Sequence, residues 1–528
     1  MKTKDYSLAL TPDYKVNNRL SGFISRYLKG LTDQWLLIAP LANPAMLEMF
    51  RTRNAQPLRK MVAWSGEFAG KYLTSAVQVY RLTHDERLFS FLGDFVTHLI
   101  RFQEDDGYLG PWESSRKLSG YAPNEAGSGL TWDAWGHYHI LVGLLLWYDV
   151  TGDDQALQAA IRIGDLMVRT FLGKPEGERL VDTGSTEMNL AIVHGLCLLY
   201  RHEPNQAYLD LALQIVDEFA AEKDNAPLAG DYLRQGYDNI PFYQTPKPRW
   251  ESLHPIMSLA ELFYITGEQK YRQAFENLWW SMAAYDVHNN GGFTSGERAT
   301  GNPYDMGAIE TCCTIAWLAM SVEMLKLTGD PVVADMIERS TLNQAVGSTS
   351  FTGRWATYNT PMNGVREASA HTIVFQSAAG SPELNCCSVN SPRGLGLISE
   401  WAVMQDTDGL VLNFYEAGSI AIPTLGGQQL GLRIATEYPF SPEINLTLEL
   451  ARPETFTLKL RIPCWSKGNQ VWVNGKAYPQ PEAGTYYRLE KTWKSGDTIR
   501  LLLDFSPHFW QGEKECAGRV SIYRGPIL

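Results

Sequence analysis

V-Y-R-L-T-H-D-E-R-L at residues 79–88, W-Y-D-V-T-G-D-D at 147–154, L-Y-R-H-E-P-N-Q at 199–206, F-Y-I-T-G-E-Q-K at 263–270 and M-L-K-L-T-G-D-P at 324–331 repeat one pattern. An apolar helical end runs into a short turn, and a polar residue starts the next helix. Glycine after a helix, followed by Asp, Glu or Asn, stops one helix and starts another. Each stretch is therefore read as the tip of a helical hairpin. The tips are separated by about 52 to 68 residues, room for two helices and a long return loop per unit. Five such hairpins, with a sixth made from an N-terminal helix and the segment after Cys387, close into an (α/α)6 toroid. The long loops opposite the tips then line a pocket at one end of the inner ring, a usual place for functional loops of this length.

After about residue 405 the pattern changes to short alternating runs such as G-L-V-L-N-F-Y, Q-L-G-L-R-I-A-T, F-T-L-K-L-R-I and T-I-R-L-L-L-D-F. Gly, Pro, Asn and Asp punctuate them, which is the signature of a β-sandwich. V-N-G-K at 473–476 is a strong hairpin turn. The expected division is residues 1–404 as a mainly α toroid and 405–528 as a β-sandwich domain, whose C-terminal end is expected to be incomplete because R-V-S-I-Y-R-G-P-I-L reads as a strand still running at residue 528.

The 528 residues are 45% apolar and 20% charged, ordinary for a globular chain with a large core. A net charge of −12 argues against nucleic acid or an anionic membrane as the main partner, because both need clustered Lys and Arg. Aromatic residues at 12% suit either carbohydrate stacking or a large core. The N-terminal stretch carries no apolar run of signal-peptide length, and no segment approaches the roughly 18 apolar residues of a membrane span. The expectation is a cytoplasmic protein acting on a neutral glycoside or oligosaccharide, with a homodimer allowed.

Four of the seven cysteines lie in two vicinal pairs, Cys312-Cys313 and Cys386-Cys387. Neighbouring cysteines make a strained disulfide, whereas thiolates from two segments meet readily on one soft metal ion. Glu310, two residues before Cys312, adds an oxygen ligand of the kind zinc accepts beside sulfur. Glu310 to Cys313 open an amphipathic helix, whose N-terminal dipole favours thiolate and carboxylate. Cys386 and Cys387 lie in a turn-rich stretch with Pro382, Asn385, Asn390 and Pro392 around them. Four thiolates and a carboxylate exceed what a tetrahedral ion needs, so one cysteine is spare or reactive. Glu297, in the Gly-rich run N-N-G-G-F-T-S-G-E-R-A-T-G-N, is a candidate general acid and base, or else a surface residue beside Arg298.

Gly296 to Cys312 read G-E-x12-E-T-C, and Cys386 to Arg393 read C-C-x-x-N-x-x-R. These segments resemble the signature of glycoside hydrolase family 127, whose founding activity is β-L-arabinofuranosidase. The likeness extends to W-x-G-E-x-x-G-K at Trp64 to Lys71, D-G-Y-L at 106–109, G-H at 136–137 and the helix-starting His254. It implies a retaining, exo-acting hydrolase that releases a terminal furanose. Zinc would be held by Glu310, Cys312, Cys386 and Cys387, with Cys386 as nucleophile and Glu297 as acid/base. His137, His254 and Tyr358 match residues that hold the sugar. Ser185 stands in G-S-T-E where the family often has G-H-Q-E, and Cys313 is extra. His139 and His194 are read as structural histidines. Two other functions fit parts of the pattern: a sugar epimerase on the same toroid, which would need no thiolate site, and a non-catalytic carbohydrate-binding protein with structural zinc.

Overall fold

The computed structural model describes residues 8–12, 16–58, 61–123, 129–363 and 385–528. Residues 1–7 of the N-terminal stretch and Pro382 lie outside the described residues. Among the described residues, twelve helices pair into six hairpins: α1 (Phe23–Leu31), α2 (Glu67–Thr83), α3 (Glu86–Ile100), α4 (Asp133–Thr151), α5 (Asp154–Phe171), α6 (Ile192–His202), α7 (Gln206–Glu218), α8 (Leu253–Thr266), α9 (Gln269–Tyr285), α10 (Thr311–Thr328), α11 (Pro331–Arg339) and α12 (Cys386–Gly396). The even-numbered helices form the inner ring, each packed on the next, and α12 closes the circle against α2. The odd-numbered helices lie outside. Helix α1 packs on both α12 and α2, so the sixth hairpin joins the two ends of the domain.

The tips close as their residues dictate. Gly152, Gly267 and Gly329 end α4, α8 and α10 in the left-handed conformation, and His84 does the same for α2. Asp85, Asp153, Asn205 and Asp330 then cap α3, α5, α7 and α11 by accepting backbone N–H bonds. Inner and outer helices differ in how they are buried. In α3 only Leu88, Leu92, Phe95, Val96 and Leu99 are buried, one apolar stripe. In α10 every residue from Thr311 to Leu327 is buried, because the helix has neighbours on all sides. Gly70 lets α2 and α4 approach closely: a Cβ there would lie 2.2 Å from the His139 carbonyl carbon.

Two antiparallel-rich sheets follow. One runs Thr11–Pro12, Val403–Gln405, Gly409–Leu412, Glu454–Ile462, Thr485–Trp493, and the other runs Lys476–Ala477, Gln470–Val473, Thr498–Leu502, Glu443–Leu450, Gln429–Thr436, Gly418–Pro423, Asn17–Leu20. The V-N-G-K turn sits between two paired strands, with Asn474 and Gly475 at φ 51° and 75°. Residues before α1 therefore add a strand to each sheet, although the sequence division assigns them to the toroid. Strands of two to four residues carry no periodicity to read. His508–Gln511 and Val520–Tyr523 form a separate hairpin that packs on the toroid. The fully buried Arg461 guanidinium ties the sandwich to α11, reaching Asp335 and, at 2.6 Å, Glu338. No described helix is long and apolar enough to cross a membrane.

Candidate active site

All six inner helices begin at the same end of the ring, and both cysteine pairs sit at such beginnings. Glu310 is the N-cap residue of α10, and the short strand Ile309–Glu310 pairs with Asn359–Thr360. That pairing delivers Tyr358, whose carbonyl accepts the Thr311 N–H at 2.9 Å. The stretch around Cys386 is not only turn: Asn385 caps α12 through the Ser388 N–H at 2.9 Å, and Cys386 is its first residue. Because α10 and α12 are neighbours, the two pairs meet. The ligand atoms of Glu310, Cys312, Cys386 and Cys387 all lie within 4.8 Å of one another, and all four residues are buried. Cys313 is buried outside this group, about 100° further round the helix.

Three sulfurs and one carboxylate oxygen form a donor set that suits zinc. Glu310 Oε1 lies 3.4 Å from Cys387 Sγ and 3.9 Å from Cys386 Sγ, and Oε2 is buried without a hydrogen-bond partner, so the carboxyl has an oxygen to spare for a cation. Burial first, and then the Cys386 and Glu297 charges, push the Glu310 carboxyl well above the usual range. Burial opposes ionisation of Cys312, yet hydrogen bonds from Cys386 and Cys387 and the Lys71 charge bring it down to about 6. The Cys386 thiol is pushed up to about 12, chiefly by its hydrogen bond with Cys312. Ligand atoms within 4.8 Å of one another are close enough to share one cation. The Tyr358 hydroxyl lies 3.2 Å from Cys386 Sγ, and Asn390 Nδ2 donates to Cys312 Sγ at 3.5 Å.

Glu297 stands beside this cluster on the loop between α9 and α10, with φ 66° following Gly296 at φ 59°. Its carboxyl lies near enough to Glu310 to raise that residue electrostatically, and it pairs with Arg249 at 2.9 Å. Arg249 also grips Glu251 through two nitrogens, at 3.0 and 2.7 Å. Burial raises Glu251 to about 7. The side chain of Glu297 is 40% exposed, so it borders both the buried cluster and solvent.

The wall behind the cluster combines Lys71, Glu67, Trp135, Trp250, His139 and His254. Lys71 and Glu67 form an ion pair at 2.9 Å, each about 1% exposed, and Trp135 Nε1 donates to Glu67. The Lys71 ammonium lies 5.4 Å from the Trp135 ring and 5.1 Å from that of Trp250. His254 and His139 both pack edge-on to Trp135, at 4.9 and 4.5 Å, and neither Nε2 atom has a hydrogen-bond partner. Tyr138 OH lies 3.0 Å from Nδ1 of both His254 and His194, fixing both rings. Burial holds His139 and His254 neutral, well below the ordinary histidine range.

His137, matched by resemblance to a sugar-holding histidine, is placed differently. Its Nδ1 bonds the Asp133 carbonyl at 2.8 Å and its Nε2 accepts the Leu109 N–H at 3.0 Å, so neither nitrogen is left for a hydroxyl. His139, read from sequence as structural, takes the wall position instead. The signal was the W-x-x-x-H spacing of Trp135 and His139, which puts both on one helix face. Ser185 is the half-buried N-cap residue of a short helix, Thr186–Asn189, and makes no capping hydrogen bond. No local sequence pattern points to Arg249 or Glu251, Trp135 stands out only through its spacing from His139, and Glu67 and Lys71 stand out only as part of W-x-G-E-x-x-G-K.

The model of the GH127 catalytic domain of β-L-arabinofuranosidases matches residues 24–399, and that of the GH127 middle domain matches 409–505. The chain belongs to glycoside hydrolase family 127. As a GH127 glycoside hydrolase it acts on carbohydrate, which sets aside the epimerase and the non-catalytic binding protein. It is similar to the non-reducing end β-L-arabinofuranosidase of Bifidobacterium longum subsp. longum, with 24% identity over 497 residues, 87% of this chain and 74% of the relative. The fold is that of a GH127 β-L-arabinofuranosidase from Geobacillus stearothermophilus T6, with TM-score 0.77 and 21% identity over 97% of this chain and 85% of that one. The GH127 β-arabinofuranosidase BT3674 is equally similar, with TM-score 0.78 and 20% identity over 99% of this chain and 85% of that chain.

Proposed function

We propose that this GH127 chain is a retaining, exo-acting glycosidase that releases a terminal furanose, β-L-arabinofuranose or a related modified pentose. The supporting observation is the buried meeting of Glu310, Cys312, Cys386 and Cys387 beside Glu297. Zinc bound by these four residues would keep its sulfur ligands deprotonated at neutral pH. Cys386 Sγ attacks the anomeric carbon while Glu297 gives its proton to the departing oxygen, forming a C–S bond as the C–O bond breaks. Glu297 then takes a proton from water, whose oxygen displaces the sulfur from the same face that the aglycone left. Two inversions retain configuration. The usual carboxylate nucleophile is thereby replaced by a thiolate.

The other side chains hold the sugar. His254 and His139 present Nε2 atoms without partners, and Tyr358 OH lies against the nucleophile. Ser185 is shorter than the histidine common at this place in the family, which would change the hydrogen bonding and the pocket size available to the pentose.

A panel of aryl furanosides and pyranosides tests the reading, with product configuration followed by proton NMR and zinc measured per chain. The expected result is hydrolysis of one furanoside with retention, one zinc per chain, and loss of turnover in Cys386→Ser with some metal kept. Full activity in Cys386→Ser, or unchanged activity after the metal is stripped, would sink the mechanism.

A further inference from the structure

The loop that carries Glu297 is held in a conformation its residues do not favour. Thr294 at φ 56° and Glu297 at φ 66° are both left-handed, and a β-branched residue is an outlier there. Such a conformation persists only where the surroundings over-determine it. From within, the buried Asp286 side chain accepts the Thr300 and Gly301 N–H groups at 2.9 and 2.8 Å, and its carbonyl accepts the Thr294 N–H at 2.8 Å. The loop is thus tied at both ends to one residue at the end of α9. From outside, the C-terminal hairpin grips the flanks of the same loop. Asn289 donates to Ser521 Oγ at 2.8 Å, and its carbonyl accepts the Tyr523 hydroxyl at 2.5 Å. Trp510 Nε1 donates to the Tyr304 hydroxyl at 3.3 Å, and Lys514 Nζ donates to the Gly301 carbonyl at 3.3 Å.

We infer that the hairpin His508–Tyr523 and Asp286 are positioning elements for Glu297, so that the β-rich part of the chain sets the geometry of proton transfer in the toroid. The inference rests on the acid/base role proposed for Glu297. None of these residues belongs to the cysteine cluster or to the wall behind it. They act by fixing a left-handed loop whose relaxation would swing the carboxyl away from the departing oxygen, and a misplacement near 1 Å costs about 10²-fold in rate.

The test uses the full-length, metal-loaded protein and two substrates of the same sugar. A nitrophenyl furanoside has a leaving group that departs without a proton, whereas an alkyl furanoside needs one. The variants are Ser521→Ala combined with Tyr523→Phe, Asp286→Ala, and Asp286→Asn, which keeps the carbonyl acceptor. In the first two, kcat on the alkyl furanoside should fall about 10- to 100-fold with KM little changed, while the nitrophenyl glycosylation rate stays near wild type. Asp286→Asn should restore alkyl furanoside turnover. Equal losses on both substrates, or no loss on either, would overturn the inference. Glu297→Ala serves as the reference. If it shows no leaving-group dependence and no rescue by azide, the acid/base assignment itself fails, and the positioning role with it.

Discussion

Glu416 offers a clean measurement of how the sandwich holds the toroid. It is 1% exposed, lies between two strands, and its Oε1 accepts the Ile24 N–H at 2.9 Å in the first turn of α1. Gly22 makes room for it, since a Cβ there would sit 2.6 Å from Oε1. Burial, only partly offset by the Ile24 hydrogen bond, raises the carboxyl from 4.5 to about 7. The folded state therefore holds a proton that the unfolded chain has lost, and stability falls as pH rises from the unfolded value through about 7. At about 1.36 kcal/mol per pH unit the full window is worth about 3 kcal/mol. Glu416→Gln keeps the acceptor and cannot ionise. Any fixed cost of its amide beside the unpartnered Oε2 position is the same at every pH. In urea unfolding, the stability of the variant relative to wild type should rise by about 3 kcal/mol between pH 4 and pH 9. A gap that stays constant across that range would refute the reasoning, whatever its size.

Cys312→Ala should abolish tight zinc binding, whereas Cys313→Ala should leave both metal content and turnover in place; elemental analysis of the purified variants decides between them. Arg461→Met leaves Glu338 buried without its cation and should cost about 3–5 kcal/mol in urea unfolding, part of which Glu338→Gln in the same background should return. His137→Ala should lower stability by about 1–3 kcal/mol through the orphaned Leu109 N–H, whereas His139→Ala should mainly raise KM. Thermal unfolding and steady-state kinetics on the two variants separate these outcomes.

How far the sequence reveals this molecule depends on the range of the interaction concerned. The five tips are legible because each is decided by residues within one turn of each other: Gly152 and Gly329 are left-handed stops followed by Asp caps, Gly267 supplies the stop alone, and Asp85 and Asn205 supply caps where no glycine stands. The sixth hairpin shows no tip, since α1 and α12 lie at opposite ends of the domain. The cysteine cluster is legible for the same local reason, as each vicinal pair announces its chemistry before its partner is known. The exchange of His137 for His139 marks where such reasoning stops. A 3.6-residue period places the two on different faces of α4 but does not say which face meets the axis. On an outer helix such as α3 the apolar stripe would answer that question. On α4 it cannot, because His137, His139 and nearly every neighbour are buried, and a helix enclosed on all sides has no stripe. What distinguishes the faces is polar: one histidine is saturated by Asp133 and Leu109, and the other keeps a free nitrogen beside Trp135. On α4, then, it is the free histidine nitrogen beside Trp135, and not hydrophobic periodicity, that marks the face turned to the cysteine cluster. Glu310 Oε2 and His254 Nε2 are likewise unpaired, so the surroundings of the cysteine cluster combine several buried polar atoms that the fold leaves without a protein partner.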